Sequence, residues 1–382
     1  MFDHLAKFIQ DKYRTNSFIP LHEPRFIGKE KEFVSQTIDS TFVSSVGQYV
    51  NQFEEDIAKY TGSKRAIAIV NGTSALHLSM LMAGVKPGDY VITQALTFVA
   101  TCNAIHYCQA EPILIDVDKK TLGLSPIALE AWLEENAFVD TDQVCKLKNS
   151  KRAIKACIPM HTFGHPVEID TLAKICNVWK LAMIEDAAES LGSLFKDTHT
   201  GTFGLMGTLS FNGNKIITTG GGGAILCNEE LYLKGKHLST TAKKPNDIHF
   251  VHDEVGFNYR LPNINAALGC AQLESINLFV TQKRQLAEEY AQLLKNSNLE
   301  FFKEPKNCRS NYWLNTIICH DESQRNELLN FMNSREIMTR PVWTPMNKLP
   351  MFKNSISDSL QNTLWLEERI VNVPSSPPPY SI

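Results

Sequence analysis

The chain has 382 residues, more than one hydrophobic core usually organises, so a large domain and a smaller one are expected. With 43% hydrophobic residues, 21% charged residues and a formal net charge of -3, it has the composition of an ordinary globular protein, and its scattered basic residues argue against nucleic acid as a partner. No apolar run approaches the ~20 residues that span a bilayer, and the stretch from Met1 to Pro20 is too charged for a secretion signal, so a cytoplasmic protein with no membrane contact is expected.

From Lys64 onward, short apolar runs alternate with helical periodicity, which predicts an α/β domain with a largely parallel sheet. The expected strands are residues 65–70, 90–93, 112–117, 155–160, 181–185, 208–211 and 223–227. Helices fit between them at 73–83, at 126–135 behind the N-cap candidate Ser125, and at 168–178. Open α/β sheets bind ligands beyond the carboxyl ends of their strands, so chemistry is expected in the residues that follow each strand. Further on, 240–253 reads as a long polar loop and 273–295 as one long helix along which the domain boundary is placed. The division is then 1–20 as an N-terminal extension, 21–272 as the large domain and 273–382 as a small α+β domain. That last part has a strand near 312–318 and a helix near 322–334.

Nine cysteines form no CxxC pair and no close cluster, and Cys157, Cys227 and Cys270 sit in apolar stretches, so neither disulfides nor zinc is expected. His161 and His165 have metal-ligand spacing, but Gly164 and Pro166 break the helix that would align them, and no metal is assigned.

Three runs carry chemistry. Asn71, Gly72, Thr73, Ser74 and Ala75 follow a strand and open a helix, so free backbone N–H groups and hydroxyls stand ready for an anion such as a phosphate. This is no Walker A loop, and no GxGxxG lies between a strand and a helix; the competing reading is an ordinary helix cap. The run 181–186 is an apolar strand ending in Glu185 and Asp186. Side chains alternate faces along a strand, and Asp186, at the carboxyl end, is the better placed of the two acids. A carboxylate beside a pyridine nitrogen keeps it protonated, so the ring can accept electrons. Capping of the next helix is the alternative role. Finally, Ser210, Phe211, Asn212, Gly213, Asn214 and Lys215 leave a strand and run into four glycines, Gly220 to Gly223. A lysine isolated from other charges beside flexible backbone is readily deprotonated, as imine formation with an aldehyde requires; the alternative is a surface lysine at a turn.

These phrases, with Thr97-Phe98-Val99-Ala100-Thr101, Ile184-Glu185-Asp186-Ala187-Ala188-Glu189-Ser190 and Gly256-Phe257-Asn258-Tyr259-Arg260-Leu261, resemble the DegT/StrS family of pyridoxal-phosphate-dependent sugar aminotransferases over nearly the whole chain. The resemblance implies an aspartate-aminotransferase-like type I fold, with a large mixed-sheet αβα domain and a smaller C-terminal α+β domain. It also implies that Lys215 holds pyridoxal phosphate as a Schiff base and shuttles a proton, that Asp186 pairs with the pyridine nitrogen and that Phe98 stacks on the ring. Gly72, Thr73 and Ser210 would hold the phosphate together with Asn258 of a partner subunit, which implies a homodimer. Glu189 stands where the family varies, often with His or Gln near the cofactor hydroxyl. Retention of Lys215 favours transamination over the sugar dehydratases that carry histidine there; a non-catalytic binding relative is the remaining alternative.

Within the family, Ser44-Ser45-Val46-Gly47, Asn212-Gly213-Asn214 and His252-Asp253-Glu254-Val255-Gly256 look most like the legionaminic-acid branch. That branch implies a nucleotide-linked 4-keto-6-deoxy-N-acetylhexosamine as acceptor and glutamate as donor. Arg260, Arg340 and Trp343 offer a cation for a diphosphate and a face for a base. A salt-bridged arginine and a core tryptophan are the competing readings.

Overall fold

All seven apolar runs pair into one sheet in the computed structural model, which describes residues 2–244 and 249–379. The strands are β1 (Arg65–Ile69), β2 (Tyr90–Gln94), β3 (Glu111–Ile115), β4 (Ile154–Ile158), β5 (Ala182–Asp186), β6 (Met206–Ser210) and β7 (Gly223–Cys227). Their order is β1-β7-β6-β5-β4-β2-β3, extended beyond β3 by the short strand Ile356–Ser357. Every neighbouring pair is parallel except those involving β7, which runs antiparallel to β1 and β6. The reason is the connection: residues 211–222 contain no helix, and so short a link between sheet neighbours turns the chain back on itself.

Alternation along the strands buries both faces. On β1, Ile67 and Ile69 pack with Leu76, Val91, Ile184 and Ile225 on one side, while Ala66 and Ala68 pack with Phe53, Ile57 and Leu209 on the other. The helices Gly72–Met82, Pro126–Asn136 and Ile169–Val178 stand where periodicity placed them. Helices Phe2–Tyr13, Glu30–Asp39, Gln48–Thr61, Val99–Tyr107 and Glu229–Ser239 were not singled out beforehand. The long helix expected over 273–295 is Ile276–Leu294; a separate helix not read from the sequence, Asn263–Glu274, precedes it and meets it at Ser275. Of the polar stretch 240–253, residues 245–248 lie outside the described ones; the rest holds no helix and only isolated bridges.

A second sheet, antiparallel, is built from Glu300–Phe301, Asn315–Ile318, Ile370–Val373 and Arg340–Pro341, with helix Glu322–Asn333 against it. The N-terminal helix Phe2–Tyr13 buries Leu5 and Ile9 in the same cluster as Leu286, Tyr290 and Leu328, and Tyr13 donates to the Ser376 carbonyl at 2.8 Å. Among the described residues, no helix is long and apolar enough to cross a membrane.

Candidate functional site

The parallel strands all end on one edge, and the residues singled out in the sequence gather there. β1 runs out into Asn71, an extended N-cap residue whose side chain accepts from the Ser74 amide at 2.8 Å. That satisfies the third amide of helix Gly72–Met82; helix geometry gives those of Gly72 and Thr73 no partner within the helix. A Cβ on Gly72 would come within 2.9 Å of Ser210 Cβ, and one on Gly223 within 2.6 Å of the Asn71 carbonyl carbon. The two glycines thus let the helix start press onto β6 and β7, which brings the Ser210 side chain beside the free amides.

Asp186, the last residue of β5, is buried. Its carboxylate accepts from Thr101 Oγ1 at 2.8 Å and from the Ala188 amide at 3.2 Å. Burial pushes this carboxyl above the usual aspartate range, while the two hydrogen bonds, Lys215 and His161 pull it back. Glu185 points to the opposite face, as alternation requires. There it accepts from the amides of Gly201, Phe203 and Gly204 at 2.6–2.8 Å and lies 3.0 Å from His161 Nε2. Because His161 Nδ1 accepts from the Val167 amide, Nε2 carries the proton toward Glu185. His165 is buried edge-on against Phe302 and Tyr312. The histidine pair therefore serves packing and a loop anchor.

Lys215 rides the return between β6 and β7. The Phe211 amide donates to the Gly222 carbonyl at 2.8 Å and the Thr219 amide to the Phe211 carbonyl at 3.0 Å, so the loop is cinched at its base. Gly220 takes the left-handed conformation, with φ of 82°. The lysine is isolated along the sequence but not in space: its Nζ lies 3.2 Å from Glu189 Oε1 and 4.0 Å from the centre of the Trp313 ring. Glu189 is buried, accepts from the Phe163 amide at 2.9 Å through its other oxygen, and has its carboxyl pushed up to about 7 by burial, against the pull of Lys215.

Phe98 caps helix Val99–Tyr107 with its ring 46% exposed and edge-on to Trp343 at 5.9 Å. A cavity of about 280 Å³ is lined by all the site residues assigned from the sequence except Asn258. Asn258 is exposed outside it, and its Oδ1 accepts from Arg260 Nε at 3.2 Å. Arg340 spends its hydrogen bonds on Asn333 and the Thr339 carbonyl, whereas Trp343 does line the cavity. Sequence reasoning gave no role to Thr101 or Trp313. Thr101 stood inside a quoted phrase, one helical turn from Thr97, to whose hydroxyl its own lies 2.9 Å away. Nothing local marks Trp313, which arrives from the far end of the chain.

The donor set suits one kind of molecule: amides and hydroxyls for a phosphate, a buried carboxylate for a protonated ring nitrogen, an aromatic face, and a primary amine for a carbonyl. The model of the DegT/DnrJ/EryC1/StrS aminotransferase family matches residues 25–378. The chain is 37% identical over 371 residues to a GDP-perosamine synthase of Escherichia coli O157:H7, covering 94% of both proteins. It is 37% identical over 347 residues to a putative pyridoxal phosphate-dependent aminotransferase, EpsN, of Bacillus subtilis (strain 168), covering 90% of this chain and 86% of that one. Among solved structures, the aminotransferase TlmJ from Streptoalloteichus hindustanus superposes with a TM-score of 0.84 at 25% identity, over 94% of each chain.

Proposed function

Since the chain belongs to the DegT/DnrJ/EryC1/StrS aminotransferase family and is a pyridoxal-phosphate-dependent sugar aminotransferase, we propose that it moves the amino group of glutamate onto C4 of a nucleotide-linked 4-keto-6-deoxyhexose. The observation that carries the site assignment is the meeting of Lys215, Asp186 and the Gly72–Thr73 helix start around one cavity. Gly72, Thr73 and Ser210 hold the cofactor phosphate, Asp186 its ring nitrogen, Phe98 a ring face and Glu189 its hydroxyl side. When bound, pyridoxal phosphate supplies an electron sink for the pair left behind when a substrate C–H bond breaks.

The protein does the rest. Lys215 would hold the cofactor through Nζ between turnovers and, once freed, would carry a proton between the substrate carbon and the cofactor carbon on the other side of the nitrogen that joins them. Thr101 and the Ala188 amide keep Asp186 aimed and favour its charged form against the opposing effect of burial. Asn258, exposed and outside its own chain's cavity, supports a homodimer in which it reaches the partner's phosphate. We divide the chain at Ser275 and group helix Phe2–Tyr13 with the smaller domain, on the strength of the core they share.

The choice of acceptor lies between two 4-keto sugars. Similarity to GDP-perosamine synthases favours a GDP-linked acceptor, for surface-polysaccharide synthesis. The motifs at 44–47, 212–214 and 252–256 favour the N-acetylated acceptor of the legionaminic-acid branch as a second reading. The test is to convert the yellow enzyme to its amino form with glutamate, then offer each keto-sugar. Return of the yellow form with one, and a 4-amino product by mass, selects it; failure with glutamate defeats the proposal.

Glu189 sets a pH dependence in enzyme stripped of cofactor. Its folded carboxyl sits near 7, above the ordinary 4.5, so the stability it contributes is complete below pH 4.5 and is lost as pH rises through about 7. Glu189→Gln lacks that titration. The stability of wild type relative to the variant should therefore fall by about 3 kcal/mol between pH 4.5 and 7.5, read from denaturant midpoints; a constant difference would refute the assignment.

A further inference from the structure

The segment 310–314, which leads into the strand Asn315–Ile318, grips the wall of the site and sends Trp313 into its lining. Ser310 Oγ donates to the Gly164 carbonyl at 3.0 Å, and the Asn311 side-chain amide donates to the carbonyls of Glu189 and Leu191, each at 2.9 Å. The approach is close enough that a Cβ on Gly164 would lie 1.9 Å from Asn311 Oδ1. That same Oδ1 accepts from the Trp313 amide at 2.8 Å. Trp313 then turns its ring under Lys215, with Nζ 4.0 Å from the centroid, and its indole Nε1 donates to the Asn214 carbonyl at 2.8 Å. Behind it, the fully buried Lys283 donates from Nζ to the carbonyls of Trp313, at 3.2 Å, and of Ser375. Both members of the Lys215–Glu189 pair are thus fixed by neighbouring residues of one segment.

We propose that Trp313 is a positioning residue for Lys215: its indole face seats the lysine amine while its ring N–H pins the backbone just before it. The aim of the amine is then set by how segment 310–314 docks, not by the lysine loop alone. This rests on the reading of Lys215 as the proton carrier. In that step the substrate C–H bond breaks, its electron pair enters the cofactor's sink and its proton goes to Nζ. An amine misplaced by about 1 Å slows such a transfer by about 10²-fold. A flat face is suited to the task because an aromatic ring attracts the ammonium formed when the proton arrives, while leaving its hydrogens free to turn.

The experiment uses the holoenzyme and 2-deuterated glutamate. Trp313→Leu should lower kcat by about 10²-fold, leave KM for glutamate nearly unchanged and raise the deuterium isotope effect, because proton transfer becomes limiting. Trp313→Phe, which keeps a face and loses the N–H, should recover part of kcat. In both variants, borohydride should still fix pyridoxal phosphate onto Lys215, which separates aim from cofactor capture. A folded Trp313→Leu enzyme with wild-type kcat and isotope effect overturns the proposal. Should the leucine variant not fold, a phenylalanine variant indistinguishable from wild type overturns it instead. Wild type that is not fixed at Lys215 defeats the underlying reading.

Discussion

Lys215→Ala should abolish amino transfer, with kcat reduced by at least about 10⁴-fold, while the fold survives. Two functions leave together: the covalent hold on the cofactor and the base that moves the proton. The fold should survive because of what the substitution leaves behind. Glu189 loses its ion-pair partner at 3.2 Å, and a buried bare carboxylate would be costly. Its carboxyl, however, is already near 7 with the lysine beside it, and Lys215 is what holds it down. Without the lysine it rises further and is neutral at physiological pH, still accepting from the Phe163 amide. Turnover with glutamate, paired with a melting curve, checks both halves. Appreciable residual turnover in the alanine variant would remove Lys215 from the mechanism.

The second large effect should come from Asp186→Asn. Asparagine preserves the shape and can still accept from Thr101, but it brings no charge to the ring nitrogen. Its NH2 group must also face either the Ala188 N–H or the Thr101 hydroxyl, so one of the two hydrogen bonds the carboxylate now accepts is lost. Leaving a buried cation without its counter-charge costs about 3–5 kcal/mol, equivalent to roughly 10²–10⁴-fold in rate. Measured kcat should fall by that amount, and the cofactor should dissociate faster. Wild-type rates with a weakened cofactor would confine Asp186 to binding.

Local rules carried much of the site. The period of two along β5 was enough to choose Asp186 over Glu185, and the structure places Glu185 among the amides of 201–204 on the other face. The helix start at Asn71 and the strand-end position of Ser210 followed from the alternation of strands and helices. What was not legible depended on distance along the chain. Lys215 looked isolated because its partners, Glu189 and Trp313, lie 26 and 98 positions away, and no local pattern encodes such a meeting. The direction of β7 was missed for a different reason: an apolar pentapeptide reads the same either way, and only the missing helix in 211–222 betrays the reversal. The helix Asn263–Glu274 was not read on its own because it buries residues up to Leu273 and its successor begins burying at Ile276, so apolar residues flank the junction at Ser275 on both sides.

That reversal of β7 bears on how the lysine is carried. The ends of its loop are consecutive partners in a sheet, held about 4.8 Å apart by backbone pairing, so the entropy of closing the loop is met by the sheet itself. A run of four glycines would ordinarily advertise a segment free to wander. Here it marks the opposite, a tightly reefed length of chain in which Gly220 makes a left-handed turn, Gly222 leaves room for the Thr219 side chain and Gly223 admits the Asn71 backbone. The reactive amine is therefore carried on backbone mounted in the framework of the molecule, and the movement its proton transfer needs falls to the lysine side chain alone.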